Sequence, residues 1–147
     1  MKKLILVSIL FVLAGCGTTS GRIGEMPLIT DKASAADVLV VRISTFVGAG
    51  NGYTIALDGK DLFGIGSGEH ARFQVPQGQH YIAVKCFGGM SPTWKEDSLK
   101  FDAGTVAPSI FLVSPAGSCA EIKKSTQDEV KEHLEKSKLL DLEKSVR

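Results

Sequence analysis

The 147 residues hold no long apolar run, no surplus of positive charge and few cysteines, and each shortage closes off a class of function. The longest apolar stretch, residues 4–13, is broken only by Ser8. It is about half the roughly 20 residues that a helix needs to cross a bilayer. Lysine and arginine number 17 against 16 aspartates and glutamates, so nothing is left over to neutralise phosphates, and no nucleic-acid partner is expected. The three cysteines make no Cys-x-x-Cys and the three histidines no His-x-x-x-His, so no metal or other cofactor is expected. No Gly-x-Ser-x-Gly elbow is present to present a nucleophile, and the chain reads as non-catalytic. Gly64-Ile65-Gly66-Ser67-Gly68 is rich in glycine but runs into an alternating strand pattern, not a helix start with its lysine. That context predicts a loose hairpin return, not a phosphate cradle. If a hairpin folds near Gln77, His70 and His80 stand about 13 Å apart along it. That is too far to share one ion, and His80 is expected to hydrogen-bond at the turn.

What is present begins with an address. Lys2 and Lys3 precede the apolar run, and small residues follow it in Leu13-Ala14-Gly15-Cys16, the layout of a secretory signal over residues 1–15. The four-residue ending resembles the lipobox of bacterial prolipoproteins at every position. The resemblance implies cleavage before Cys16, a diacylglyceryl thioether on its sulfur and acylation of its new amine. The alternative is a soluble secreted protein with an incidental cysteine. Gly17, by resemblance to enteric lipoproteins, implies sorting to the outer membrane, facing the periplasm, in preference to the inner membrane. Cleavage would leave 132 residues, one ordinary domain, with 15 basic and 16 acidic side chains. Acyl chains, at about 0.8 kcal/mol per buried methylene, then supply the membrane hold that charge does not.

Cys86 and Cys119 remain. In an oxidising compartment an even pair predicts a disulfide, worth about 3–4 kcal/mol for a loop of this size in the chain-entropy model. Two separate buried thiols are the alternative.

Residues 16–36 read as a flexible tether, small and polar with Pro27 and no period. Residues 37–123 carry many short strand signals separated by turn chemistry, which predicts an all-β fold, a small antiparallel β-sandwich of about seven or eight strands. Asp58-Gly59 is a tight-hairpin dipeptide. Residues 70–75 alternate, with Ala71, Phe73 and Val75 inward. Residues 88–95 read as a loop, and 109–114 as a strand buried on both faces. Residues 124–147 predict a C-terminal helix: Thr126 and Glu129 form a capping-box pattern, and no glycine or proline follows up to Lys144. Val130 and Leu134 form a stripe suited to docking on the sandwich, and Leu139, Leu142 and Val146 a second one.

Between Val38 and Lys85 the chain resembles an uncharacterised family of short bacterial lipoproteins with a β-sandwich domain. Arg42, Thr45-Phe46-Val47-Gly48, Asp58-Gly59-Lys60 and Phe73-x-Val75-Pro76-x-Gly78-x-His80 carry the resemblance, and their rhythm is also similar to the surface-layer domains called PEGA. It implies fold and location, with no activity attached. The expectation is a lipid-anchored cell-envelope protein that contacts another protein or an envelope polymer such as peptidoglycan. A small-ligand or carbohydrate binder using residues 48–52 and the Trp94 loop is the alternative. Trp94, Met90 and Asn51 are the candidate binding residues. Trp94 either stands exposed for binding or covers one end of the sandwich. Arg42, alone among apolar neighbours, requires a carboxylate or carbonyl partner, and a structural ion pair is expected ahead of a ligand clamp.

Overall fold

The computed structural model describes residues 20–46, 50–87 and 94–143. Two five-stranded sheets pack face to face with a helix on the outer side of the second, so the expected all-β sandwich is the fold. Strands β1 (Gly21–Arg22), β2 (Ala35–Arg42), β3 (Tyr53–Leu57), β4 (Lys60–Ile65) and β5 (Glu69–Pro76) come first. Strands β6 (Gly78–Phe87), β7 (Trp94–Ala103), β8 (Ser109–Ala116) and β9 (Cys119–Ser125) follow, then α1 (Gln127–Lys136) and the two-residue β10 (Lys138–Leu139). The first sheet runs β1-β4-β3-β6-β7 and the second β10-β5-β2-β8-β9.

Local chemistry forms the β3–β4 hairpin. Asp58 and Gly59 both take positive φ, 49° and 80°, which turns the chain with the handedness of twisted strands. The turn at Gln77 is no hairpin. β5 pairs with β2 in one sheet while β6 pairs with β3 and β7 in the other, so the chain changes sheets there. Gly78 at φ 130° makes the corner, and Gln77 N–H donates to Ser34 O at 3.0 Å. His70 and His80 therefore belong to different sheets, with separate partners.

β2 and β8 are the hydrophobic centre. They pair in parallel, Val38 with Ser109 through to Arg42 with Val113, and are buried on both faces. Val38, Val40, Phe111 and Val113 point into the sandwich, and Leu39, Val41, Ile110 and Leu112 point at the helix. There Val130 is fully buried and Leu134 packs beside it, the docking expected of the first stripe. The capping box forms: Thr126 Oγ1 accepts from Glu129 N–H, and Glu129 Oε2 accepts from Thr126 N–H at 2.9 Å.

Three expectations need correction. The helix stops at Lys136, because Ser137 N–H and Oγ both donate to Leu134 O and the chain then pairs with β5. Leu139 is exposed, Leu140 and Leu142 pack against the core, and Val146 lies outside the described residues. The stretch read as a tether is docked from Gly21 onward. β1 pairs with β4, Ile23 and Gly24 N–H donate to Leu62 O at 2.9 and 3.0 Å, and Met26 packs on the core. This covers the outer edge of β4. Finally, Trp94 and Lys95 begin β7, not a loop, in a ten-residue ladder with β6 that runs from Gly78–Ala103 to Phe87–Trp94.

Cys86 of β6 and Cys119 of β9 form the expected disulfide, with Cα atoms 5.6 Å apart and a sequence separation of 33. It joins the two sheets at one end. Beside it Asp97 Oδ2 of β7 accepts from Ile122 N–H of β9 at 2.8 Å, a second tie between the sheets. Replacing both cysteines (Cys86→Ala with Cys119→Ala) should cost about 3–4 kcal/mol of unfolding free energy. Denaturant titration with and without reductant measures it. Reductant should weaken only the parent protein, and a double variant as stable as the oxidised parent would contradict the role.

Candidate functional site

The two ends of the sandwich differ in kind. At the hairpin end, an open cleft of about 490 Å³ is lined by Glu25, Met26, Pro27 and Leu28 on one side. Leu57, Asp58, Lys60, Leu62, Pro76 and His80 line the other. The docked N-terminal segment supplies one wall, and the β3–β4 turn with the sheet-switching corner supplies the opposite one. Leu28 is 80% exposed above it.

Asp58 and His80 lend this wall its polarity. His80 Nδ1 lies 2.7 Å from Asp58 Oδ2, and Nε2 lies 2.8 Å from Pro76 O. Both partners are acceptors, so both ring nitrogens carry hydrogen and the imidazolium is the favoured form. Burial disfavours that charge, but the bonds to Asp58 and Pro76 and the Asp58 charge outweigh it and raise the His80 pKa. Burial likewise opposes the Asp58 carboxylate, yet Tyr81 N–H, donating to Oδ1 at 2.9 Å, and His80 hold its pKa below the ordinary value. A general base needs a lone pair free to take a proton. His80 has none to offer in this arrangement. The pair clamps the turn, and the expectation that His80 hydrogen-bonds there is met. His70 has a different neighbourhood. Its Nδ1 lies 2.7 Å from Ser137 Oγ, and burial, with Arg72 nearby, lowers its pKa. Among the described residues no group of three or more potential metal ligands gathers.

The opposite end is organised by Arg42. Its side chain is wholly buried, and the guanidinium lies over the Tyr53 ring with the central carbon 3.8 Å from the centroid. One terminal nitrogen donates to Asn51 O at 2.6 Å and to Ile65 O at 2.8 Å. Among the described residues, two carbonyls and a ring hold it. Burial lowers its pKa, with Tyr53 and Glu69 acting the other way. Tyr53 OH in turn donates to Cys119 O at 3.4 Å. Arg42 thus fixes the start of β3 and the end of β4 against β2, and Asn51 enters the site through its backbone while its side chain faces solvent.

Around this knot stand aromatics. Trp94 is 66% and Phe87 55% exposed, and their rings meet edge to face at 5.6 Å. Phe46, beyond the end of β2, is 99% exposed. Of the two positions weighed for Trp94, the structure takes the exposed one. The register places Asn51 and Trp94 at the same end, since Thr54 pairs with Lys85 and Phe87 with Trp94. Met90 and Cys16 lie outside the described residues. Phe87 escaped sequence reading because it closes a strand of alternating faces, and its exposure depends on where β7 begins.

Two outcomes follow. Arg42→Met leaves the Asn51 and Ile65 carbonyls without their donor and should cost about 2–3 kcal/mol, read by denaturant unfolding. A variant as stable as the parent would show that the carbonyls find other donors. For His80, the folded pKa lies above the ordinary 6.5. Its charged bonds contribute fully below that value and fade as pH rises through the folded pKa. The Asp58 contribution is present above its ordinary 3.8 and lost as pH falls below it. The gap in thermal midpoint between the parent and His80→Gln should therefore narrow from about pH 5 to about pH 9. A gap that widens with pH would overturn the imidazolium assignment.

No protein-family model, no curated protein and no solved structure matches the chain, so what its two ends do follows from their own chemistry.

Proposed function

We propose that the mature protein is a lipid-anchored component of the bacterial cell envelope, held by acyl chains on Cys16. Its sandwich works by binding another envelope component, a protein or a polymer, and not by catalysis. The observation that carries the reading is the hairpin-end cleft: mostly apolar, open, and walled by an Asp58–His80 pair whose hydrogen-bonding capacity is turned inward on the protein. Such a wall offers shape and fixed charge to a partner, and its histidine keeps both ring nitrogens on the protein's own acceptors. The leader and the lipobox resemblance support the membrane address. Gly17 supports the outer membrane, facing the periplasm. The resemblance of residues 38–85 to small envelope lipoproteins points the same way.

Two measurements test this. Cys16→Ala should lose fatty-acid labelling and accumulate as uncleaved or mislocalised precursor; equal labelling of variant and parent would end the lipidation reading. A photocrosslinking residue in place of Leu28, at the cleft, should trap a discrete envelope partner in cells, while one in place of Lys131, exposed on α1, should not. Equal patterns from the two positions would remove the cleft as the contact surface.

A further inference from the structure

Phe46, Phe87 and Trp94 stand at the same end of the sandwich as the point where the chain enters it, with Trp94 on the sheet edge opposite β1. Gly21 pairs with Gly64, Gly64 with Thr54, Thr54 with Lys85, and Lys85 with Glu96, one row across the first sheet. Phe87 and Trp94 pair two residues beyond that row, toward the Arg42 end. Phe46 stands at the same end, because Thr45 N–H donates to Ser67 Oγ at 3.1 Å, in the turn that follows β4. Away from this end the exposed apolar side chains are mainly aliphatic: Leu28 and Val106 beyond the opposite ends of the strands and Ile23 beside β4, while Leu139 on β10 pairs with His70 near Arg42. Tyr81 lies on the outer face of the first sheet.

Cys16 is five residues before Gly21. Five residues span at most about 17 Å even fully extended. A lipid on Cys16 therefore keeps Gly21 within that distance of the bilayer, at the end of the sandwich that also carries the aromatics. Tryptophan and phenylalanine that meet a bilayer surface favour the boundary between headgroups and acyl chains over water. The mature chain carries one more acidic than basic residue, so charge attraction to anionic lipid contributes nothing.

We propose that Phe46, Phe87 and Trp94 form a membrane-interface seat that docks the Arg42 end of the sandwich on the lipid surface and points the hairpin-end cleft away from it. The seat rests on the lipidation reading above. The acyl chains supply the hold, and the aromatics set the orientation.

Trp94 is the only tryptophan, so intrinsic fluorescence reports on the seat directly. The experiment uses the acylated full-length mature protein, with acylation verified by mass, in zwitterionic phosphatidylcholine vesicles. Its emission should be blue-shifted, quenched by lipids brominated near the headgroup, and severalfold less quenched by aqueous acrylamide than in the Cys16→Ser protein free in buffer. Raising salt from about 0.1 to about 1 M, which cuts the screening length from about 10 to about 3 Å, should change none of this. Phe46→Ser with Phe87→Ser should return Trp94 to acrylamide while leaving the thermal midpoint and the acyl mass unchanged. Acylated protein whose Trp94 ignores lipid quencher and stays open to acrylamide overturns the seat alone. Absence of the acyl mass overturns the lipidation reading and the seat with it. Trp94 shielded in native envelope membranes but not in pure lipid points to a protein seat and overturns the lipid one.

Discussion

Burial of β2 and β8 on both faces is the constraint on which the architecture depends. Val38, Val40, Phe111 and Val113 need one apolar cover, and Leu39, Val41, Ile110 and Leu112 need another. A two-sheet sandwich supplies only the first, by laying Ile55, Phe63, Ile82 and Val84 against the inner face. Without a second cover, four large side chains would meet water, at about 1.5–3 kcal/mol each. The helix is that cover. Its capping box starts it directly after β9, so that Val130 reaches Leu39 and Ile110 while the chain is still close to the sheet. The parallel β2–β8 pairing belongs to the same logic, since parallel strands are stable where both faces are closed off.

With the middle of each strand committed to the core, chemical freedom is confined to the ends. Both ends use one device, a side chain that binds the backbone of neighbouring strands. At the Arg42 end a buried cation draws together carbonyls of β4 and of the residues before β3, with a ring beneath it. At the hairpin end a carboxylate in a left-handed turn takes the Tyr81 amide and the His80 ring, and that ring reaches the Pro76 carbonyl. The Asp58–His80 clamp therefore ties the hairpin of the first sheet to the corner by which the chain leaves the second.

Features specified by near neighbours were legible in the sequence. Asp58-Gly59 gives its hairpin because the turn needs two positive φ values, and Thr126 with Glu129 gives a helix start because each satisfies the other's backbone amide. Alternation along β5 sorted Ala71, Phe73 and Val75 inward correctly. The differences all arise where a distant partner decides. Ser137 closes the helix on Leu134 O, but what takes the chain onward is the edge of β5, which accepts Lys138 and Leu139. Residues 21–26 carry no strand period, yet the free carbonyl of Leu62 recruits them. Lys95, Glu96 and Asp97 are weak strand formers held extended by β6. Pro76-Gln77-Gly78 announces a turn but not the sheet it leads to. At the candidate sites, the exposure of Trp94 and the same-end placement of Asn51 needed the register. The cleft needed the docking of the N-terminal segment.

That docking also decides how an anchor would act on the domain. A lipid at the end of a long loose tether holds a protein near a membrane but leaves its orientation free, since each added residue enlarges the volume explored. Pairing of Gly21 with Gly64 removes that freedom within five residues of Cys16. The disulfide adds a second restraint at the same end, because Cys86 adjoins Phe87 and Cys119 receives the Tyr53 hydroxyl. Aromatics fixed on a cross-linked frame keep their relative geometry on contact with a surface, so less ordering entropy is lost there than by loose side chains. From Phe87 to His80 along β6 is roughly 23 Å of continuous strand. A surface that orients one end therefore orients the other, and the cleft inherits its direction from the sheet.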